Sequence, residues 1–279
     1  MIRTATQLKA KIRNLSGGDN DRARMLIRNF VMERFLERVA LSPYRNNFIL
    51  KGGMLVAAVV GLETRATMDI DTTVKALPLT MENARRVVED VIRTDVPDGI
   101  SFTITKVSDI MEGHDYPGIR FMLEASLDKM KQAIKVDIST GDIITPGAVE
   151  YSYRLMFEDR SISIWTYNLE TLLGEKLETI MARETANTRM RDFYDIHILM
   201  NQKTVDYKLL KSAFLATSEK RATTALIPRF GEILEAVRSD GTMKGLWEKY
   251  RKENFFVGVL TWEDVNQSVK LLKEATFAE

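Results

Sequence analysis

The chain has 279 residues, 45% of them hydrophobic, enough for one large domain or two ordinary ones with a substantial core, which excludes general disorder. With 40 Lys+Arg against 39 Asp+Glu the net charge is +1, so any contact with nucleic acid must come from a local patch. The absence of Cys excludes disulfide frameworks, thiol nucleophiles, zinc ribbons and Fe–S clusters, and two histidines, His114 and His197, are too few for a typical zinc site; a metal would have to be held by carboxylates, as suits Mg²⁺.

The opening residues Met1-Ile2-Arg3-Thr4 show no basic-then-apolar signal region, and no apolar run approaches the roughly 20 residues that span a bilayer. A soluble cytoplasmic protein that does not engage a membrane is expected. Amphipathic spacing predicts helices over 6–15 and 22–39, the second carrying Met25, Leu26, Phe30, Val31 and Phe35. A strand over 48–50 follows, ending at Lys51-Gly52-Gly53, and the apolar run 54–60 reads as a short buried helix opening directly after the glycines. Alternation predicts a strand over 68–74, then a helix over 80–92 and strands over 101–107, 119–127, 133–139 and 161–165. Beyond Tyr167 the period is helical almost without a break, over 169–183, 190–200, 207–217, 222–237 and 263–275. A mixed α/β half therefore gives way to an all-helical half near residues 160–168.

Several groups of residues could carry chemistry. Gly52-Gly53, between a strand and a helix, suits either an ordinary tight turn or a phosphate cradle made of free helix N–H groups. In Asp69-Ile70-Asp71 the strand alternation puts Asp69, Asp71 and Thr73 on one face and Met68, Ile70 and Val74 on the other. Two carboxylates forced side by side are costly unless a cation sits between them or one is protonated. A solvated strand face neutralised by Arg65 is the simpler alternative. Lys135-Val136-Asp137-Ile138-Ser139 repeats the pattern, with Lys135 and Asp137 sharing a face. Alone it reads as an exposed Lys–Asp face; on a strand beside the first, Asp137 would complete a two-metal cradle for phosphoryl or nucleotidyl transfer. Between 169 and 181, Leu169, Leu172, Leu173, Leu177, Ile180 and Met181 form one apolar stripe with Lys176 in its middle. That lysine either snorkels out along its stem or meets an anion, a carboxylate or a ligand phosphate. The helix opening at Asn187-Thr188-Arg189-Met190-Arg191-Asp192-Phe193-Tyr194-Asp195 is apolar nearly all round, so Asp192 and Asp195 need partners, for which Arg189 and Arg191 would serve. His197 on the same helix reads as a packed histidine.

Taken in order, Lys51-Gly52-Gly53, Arg65-Ala66-Thr67-Met68-Asp69-Ile70-Asp71, Lys135-Val136-Asp137, Glu175-Lys176-Leu177 and Arg191-Asp192-Phe193-Tyr194-Asp195 resemble the motifs of the AbiEii/MenT family of nucleotidyltransferase toxins. The resemblance spans residues 51–195. It implies an α+β, bilobed fold: a DNA polymerase β-like nucleotidyltransferase domain over 1–165, with a mixed sheet, flanking helices and an N-terminal helical extension, followed by an all-helical domain over 166–279. It further implies that Gly52 and Gly53 cradle phosphate, that Asp69 and Asp71 hold metal with Asp137 as the third acid, that Lys176 meets the triphosphate, and that Asp192 completes the catalytic set. Arg65 and Thr67 would add phosphate contacts. The implied activity is Mg²⁺-dependent transfer of a nucleoside monophosphate from an NTP to an RNA acceptor, the tRNA 3′ end foremost. Pyrophosphate is released and translation is inhibited, with a cognate antitoxin of a type IV-like system as partner and phage defence as the setting. One departure stands out. Where the wider superfamily often has Gly-Ser, this chain has Gly52-Gly53-Met54, so backbone N–H groups must do the holding.

The helical half offers Lys211, Lys220, Arg221 and Arg229 as candidate phosphate contacts, which a solvated helix face explains equally well. Two other readings stay open. One is nucleotidyl transfer to a protein or small-molecule hydroxyl; the other is a phosphatase using Asp69-Ile70-Asp71-Thr72-Thr73 as a D-x-D-x-T motif, against which stands the polar stretch before Asp69.

Overall fold

The computed structural model describes residues 1–110 and 118–278, so His114 lies outside the described residues. The chain divides into two compact units, one comprising Met1–Ala58, Ala66–Asp142 and Val149–Thr166, the other Val59–Arg65, Ile143–Ala148 and Tyr167–Glu279.

In the first unit, α1 (Ala5–Ser16) and α2 (Asn20–Leu41) precede the sheet. Thr4 caps α1 by accepting the Gln7 N–H at 3.2 Å, and Asp19 caps α2 through the N–H groups of Asp21 and Arg22. The remaining elements are β1 (Phe48–Lys51), α3 (Gly52–Val60), β2 (Asp69–Val74), α4 (Met81–Arg93), β3 (Ile100–Ile110), β4 (Gly118–Leu127), β5 (Met130–Thr140), β6 (Val149–Arg154) and β7 (Ser161–Thr166). The strands form one mixed sheet in the order β3-β4-β5-β2-β1-β7-β6. The β2–β5 and β1–β7 pairs are parallel and the other neighbours antiparallel.

The strand period of two sorts the side chains. Ile70, Phe121, Leu123, Val136 and Ile138 are buried on one face, where Phe35 of α2 meets Phe102 edge-on at 6.1 Å. The other face of β2 and β5 carries the acids. α2 is buried on more than its apolar stripe, since Glu33, Arg34, Glu37 and Arg38 are all buried. Arg34, Glu37 and Arg38 find charged partners within the unit: Arg38 forks onto Asp98 at 2.8 and 2.9 Å and donates to the Ile100 carbonyl at 2.7 Å. Arg34 donates to Glu158 at 3.0 Å and Arg160 to Glu37 at 2.5 Å.

The second unit is helical: α5 (Leu169–Arg183), α6 (Met190–Gln202), α7 (Tyr207–Lys220), α8 (Phe230–Ser239), α9 (Gly241–Glu253) and α10 (Trp262–Phe277). Asn168 caps α5 by accepting the Thr171 N–H at 2.7 Å, and Thr261 with Asp264 forms a capping box on α10. α5 and α7 cross at Gly174, where a side-chain carbon would lie 3.1 Å from the Phe214 nitrogen. Aromatic rings fill the interior, with Phe193 and Trp262 5.0 Å apart and Phe214 stacked on Phe230 at 5.9 Å. No helix among the described residues is long and apolar enough to cross a membrane.

Three features depart from the periodicity reading. The single helix expected over 222–237 is two pieces, a 3₁₀ stretch Thr224–Arg229 and then α8, because Pro228 lacks an N–H and Ala222 takes a left-handed φ of 56°. α9 had no apolar stripe strong enough to be read past its glycines and charges; Asp240 starts it by accepting the Met243 N–H at 2.8 Å. β6 is an edge strand in which Tyr153 is the one buried residue, so its apolar alternation is faint.

The Arg38–Asp98 pair yields a stability prediction. Asp98→Ala leaves a buried guanidinium without its counter-ion and is expected to cost about 3–5 kcal/mol, read as a lowered urea midpoint.

Candidate active site

The register of the sheet assembles the acid face. β2 and β5 run parallel with Asp69 opposite Lys135 and Asp71 opposite Asp137. β1 sets Lys51 opposite Asp71, and β4 sets Arg120 opposite Asp137. One row across four strands therefore reads Lys51, Asp71, Asp137, Arg120, a pair of acids between two cations. Asp69 is buried, Asp71 and Asp137 half-buried, and one carboxylate oxygen from each lies within 4.8 Å of the others. Like charges this close are unfavourable without compensation.

Compensation comes from neighbouring strands. The Lys135 ammonium lies 2.6 Å from Asp69 Oδ2. Arg120 grips Asp137 with both ends of its fork, Nε to Oδ1 at 2.8 Å and a terminal nitrogen to Oδ2 at 2.7 Å. The bond to Asp137 raises the Arg120 pKa, against the lowering effect of burial, and the nearby charges of Asp137, Asp69 and Asp71 add to the rise. The Thr67 hydroxyl donates to Asp69 Oδ1 at 3.1 Å and so orients it. Lys51 pairs with Asp142, which also accepts from the Ser139 hydroxyl at 3.2 Å.

Gly52 sits where β1 hands over to α3, with φ +66°. A side-chain carbon there would overlap the Asp71 side chain, whose Cβ would be 2.8 Å away. Glycine is thus needed twice, for the left-handed backbone and for the space the carboxylate fills. Gly53 follows, buried in the first turn of α3. An all-oxygen, three-carboxylate donor set beside a helix start fits a hard divalent cation and a phosphate.

The remaining predicted residues gather in the helical unit. Lys176 on α5 is buried, with its ammonium 2.7 Å from Asp192 Oδ1 and 2.8 Å from Asp195 Oδ2. The lysine of the apolar stripe thus meets carboxylates on α6. Arg65 joins them, its Nε donating to Asp195 Oδ1 at 2.6 Å. Burial would raise the Asp195 carboxyl, but Arg65 and Lys176 outweigh it and hold the group below the usual carboxylate range. Burial likewise opposes charge on Lys176, and Asp192 and Asp195 override it, raising the ammonium's pKa. Two acids and two cations leave the cluster neutral. The neighbouring Tyr194 hydroxyl donates to the carbonyls of Thr64 at 2.6 Å and Phe256 at 3.0 Å, tying α6 to the segment that carries Arg65. His197 is half-buried, its Nδ1 2.8 Å from the Ser268 hydroxyl, and burial lowers its pKa, as expected for a packed histidine.

The sheet therefore brings together Gly52, Thr67, Asp69, Asp71 and Asp137, and the helical unit brings together Arg65, Lys176 and Asp192. Arg120 and Asp195 had been given no role in the site from sequence. Arg120 alternates correctly on its strand for the acid face, but only the β4–β5 register shows its partner.

The sequence profile of the family described as nucleotidyl transferase AbiEii toxin, type IV TA system, matches residues 34–267. Among solved structures, MenT4, a nucleotidyltransferase toxin from Mycobacterium tuberculosis, is similar at 13% identity with a TM-score of 0.57, over 95% of this chain and 98% of that one. JHP933 from Helicobacter pylori is similar at 15% identity with a TM-score of 0.52, over 90% of each chain. At these identities the likeness is one of fold. No curated protein matches the chain.

Two outcomes are expected from the geometry. Gly52→Ala should lower stability by about 1–2 kcal/mol for the left-handed backbone alone and displace Asp71, seen as a lower melting temperature together with weaker Mn²⁺ binding. For Asp195, a depressed carboxyl contributes stability that is present above its unfolded value of 3.8 and lost as pH falls through the folded value. Asp195→Asn should accordingly cost about 3–5 kcal/mol at neutral pH and flatten the acid limb of a stability-versus-pH curve. An unchanged acid limb in that variant would contradict this account of the cluster.

Proposed function

Since this chain belongs to the AbiEii nucleotidyl transferase toxin family of type IV toxin–antitoxin systems, we propose that it transfers a nucleoside monophosphate from an NTP to an RNA 3′-hydroxyl, the tRNA 3′ end foremost, and thereby arrests translation. The observation that carries the reading is the convergence of Asp69, Asp71 and Asp137 from two parallel strands. Their donor set suits Mg²⁺, which when bound would neutralise triphosphate charge and lower the barrier to attack at the α-phosphorus.

The chain's own residues do the positioning. Gly52 and Gly53 present backbone N–H groups to phosphate at the start of α3, in place of the serine hydroxyl that Met54 cannot supply. Thr67 enters through its bond to Asp69, and Arg65 through its bond to Asp195. Arg120 keeps Asp137 from rotating. Lys176 and Asp192, buried and mutually paired, are proposed as further members of the machinery, Lys176 toward the triphosphate. In the reaction the acceptor oxygen forms a bond to the α-phosphorus while the α–β bridging bond breaks. Pyrophosphate leaves with the electron pair, and Asp137 or Asp192 takes the hydroxyl proton. Residues 1–165 would form the catalytic domain and 166–279 a helical domain, with a cognate antitoxin as partner.

The test is incubation with each α-³²P-labelled NTP, Mg²⁺ and total tRNA, beside Asp71→Ala and Lys176→Ala. Label on RNA with the wild type that falls by about a hundredfold or more in both variants is the expected result. Label on protein or on a small-molecule hydroxyl would move the acceptor while keeping the chemistry. No label and no Asp71-dependent NTP binding would overturn the proposal.

A further inference from the structure

The acid face holds a cation that a metal cradle does not require. Lys135 stands on β5 directly across from Asp69, its ammonium 2.6 Å from Asp69 Oδ2, with the side chain 28% exposed. Arg120 has a different character. Its planar fork makes two bonds to Asp137, at 2.8 and 2.7 Å, and a bidentate pair of this kind is held in place. Lys135 makes a single point-charge contact through a flexible four-carbon stem that reaches water, so it can leave.

The charges decide when it leaves. Of the three carboxylates, Asp69 is held by Lys135 and Asp137 by Arg120, so the two cations occupy oxygens that a metal would also use. A bare divalent ion must compete with the Lys135 ammonium for Asp69 Oδ2, and it brings no new anion for the displaced ammonium. A metal that arrives with a triphosphate brings that anion, and the freed ammonium turns from carboxylate to phosphate. We infer that Lys135 is a built-in counter-ion that occupies the metal-binding carboxylate until a nucleotide arrives, making divalent-metal binding conditional on nucleotide. This rests on the nucleotidyltransferase reading above and adds to it a residue that couples the two ligands. Coupling of this kind is reciprocal, so metal and nucleotide each strengthen the other's binding. Lys135 also carries a structural duty, balancing Asp69 in the resting protein. The phosphates of a nucleotide are themselves metal ligands, so a purely structural Lys135 predicts that replacing it leaves the gain from nucleotide unchanged.

The experiment is a Mn²⁺ titration of the full chain, following free Mn²⁺ by electron paramagnetic resonance, with and without an α,β-methylene NTP, each set against a protein-free titration that measures the Mn²⁺ the analogue holds by itself. The proteins are the wild type, Lys135→Gln, Lys135→Met, Lys135→Arg and Asp71→Asn, each checked for folding by circular dichroism. The wild type is expected to bind Mn²⁺ weakly alone and more tightly with the analogue. Lys135→Gln and Lys135→Met should bind Mn²⁺ alone on the order of tenfold more tightly than the wild type and lose most of the gain from nucleotide. Lys135→Arg, which keeps the charge, should retain weak binding without nucleotide. Equal Mn²⁺ affinity of the wild type with and without analogue overturns the inference without recourse to any variant. So does a folded Lys135→Gln or Lys135→Met that binds Mn²⁺ alone no more tightly than the wild type while Asp71-dependent, analogue-stimulated binding persists; the nucleotidyltransferase reading would then stand. Absence of Asp71-dependent Mn²⁺ binding under every condition defeats both.

Discussion

Two carboxylates placed directly opposite each other on parallel strands, Asp71 on β2 and Asp137 on β5, set the terms for the sheet. A sheet selected for stability alone would avoid that pairing, because like charges at cross-strand distance repel. Asp69, one step along the same face, adds a third. The surrounding chain answers: Lys135 on Asp69, Arg120 on Asp137, Thr67 donating into Asp69, and Gly52 leaving room for Asp71. The opposite face is apolar and packed against α2, which keeps β2 and β5 from slipping: a shift of one residue would bury the acids and expose Ile70, Val136 and Ile138. Hydrophobic packing on one face therefore holds an electrostatically unfavourable arrangement on the other, as a site built for a cation would require.

The helical unit meets a related problem by another route. Asp192 and Asp195 lie on a helix that is buried nearly all round, and leaving either unpaired would cost several kcal/mol. Lys176 reaches them from α5 and Arg65 from a chain segment far away in sequence, so the charges cancel inside the unit. The two clusters differ in exposure. The helical cluster is buried, whereas the acid face is partly exposed at Asp71 and Asp137. Three clustered carboxylates are what a cation would draw together, and Lys135 and Arg120 show two grades of commitment to them, one contact that can be exchanged and one that is braced.

Family membership and the acid geometry are consistent with one chemistry. The match over residues 34–267 includes the acid-bearing strands and the helices that carry Lys176 and Asp192. The structure shows how this chain builds its acid face: a left-handed glycine beside Asp71, a threonine that aims Asp69, and an arginine fork that braces Asp137. Nucleotidyl transfer asks for positioning and charge neutralisation more than for a covalent nucleophile, which accords with a chain that has no Cys.

The sequence by itself determined what most segments are and which way their side chains point. A period of two placed Asp69, Asp71, Lys135 and Asp137 on strand faces, a period near 3.6 put Lys176 on a buried stripe, and glycines marked the strand-to-helix turn. Its weaker points were local as well: Pro228 broke a helix whose apolar pattern ran on, and β6 and α9 carried too few buried residues to register. Only the tertiary structure decided who faces whom. That β5, more than sixty positions downstream, lies parallel to β2, that Arg120 on β4 is the partner of Asp137, and that Arg65 meets Asp195 across 130 positions are all consequences of long-range packing. Periodicity records the face a side chain takes because that is set by neighbouring dihedrals. The partner it meets is set by which elements bury each other's apolar surfaces, a property of the whole chain that no short window contains.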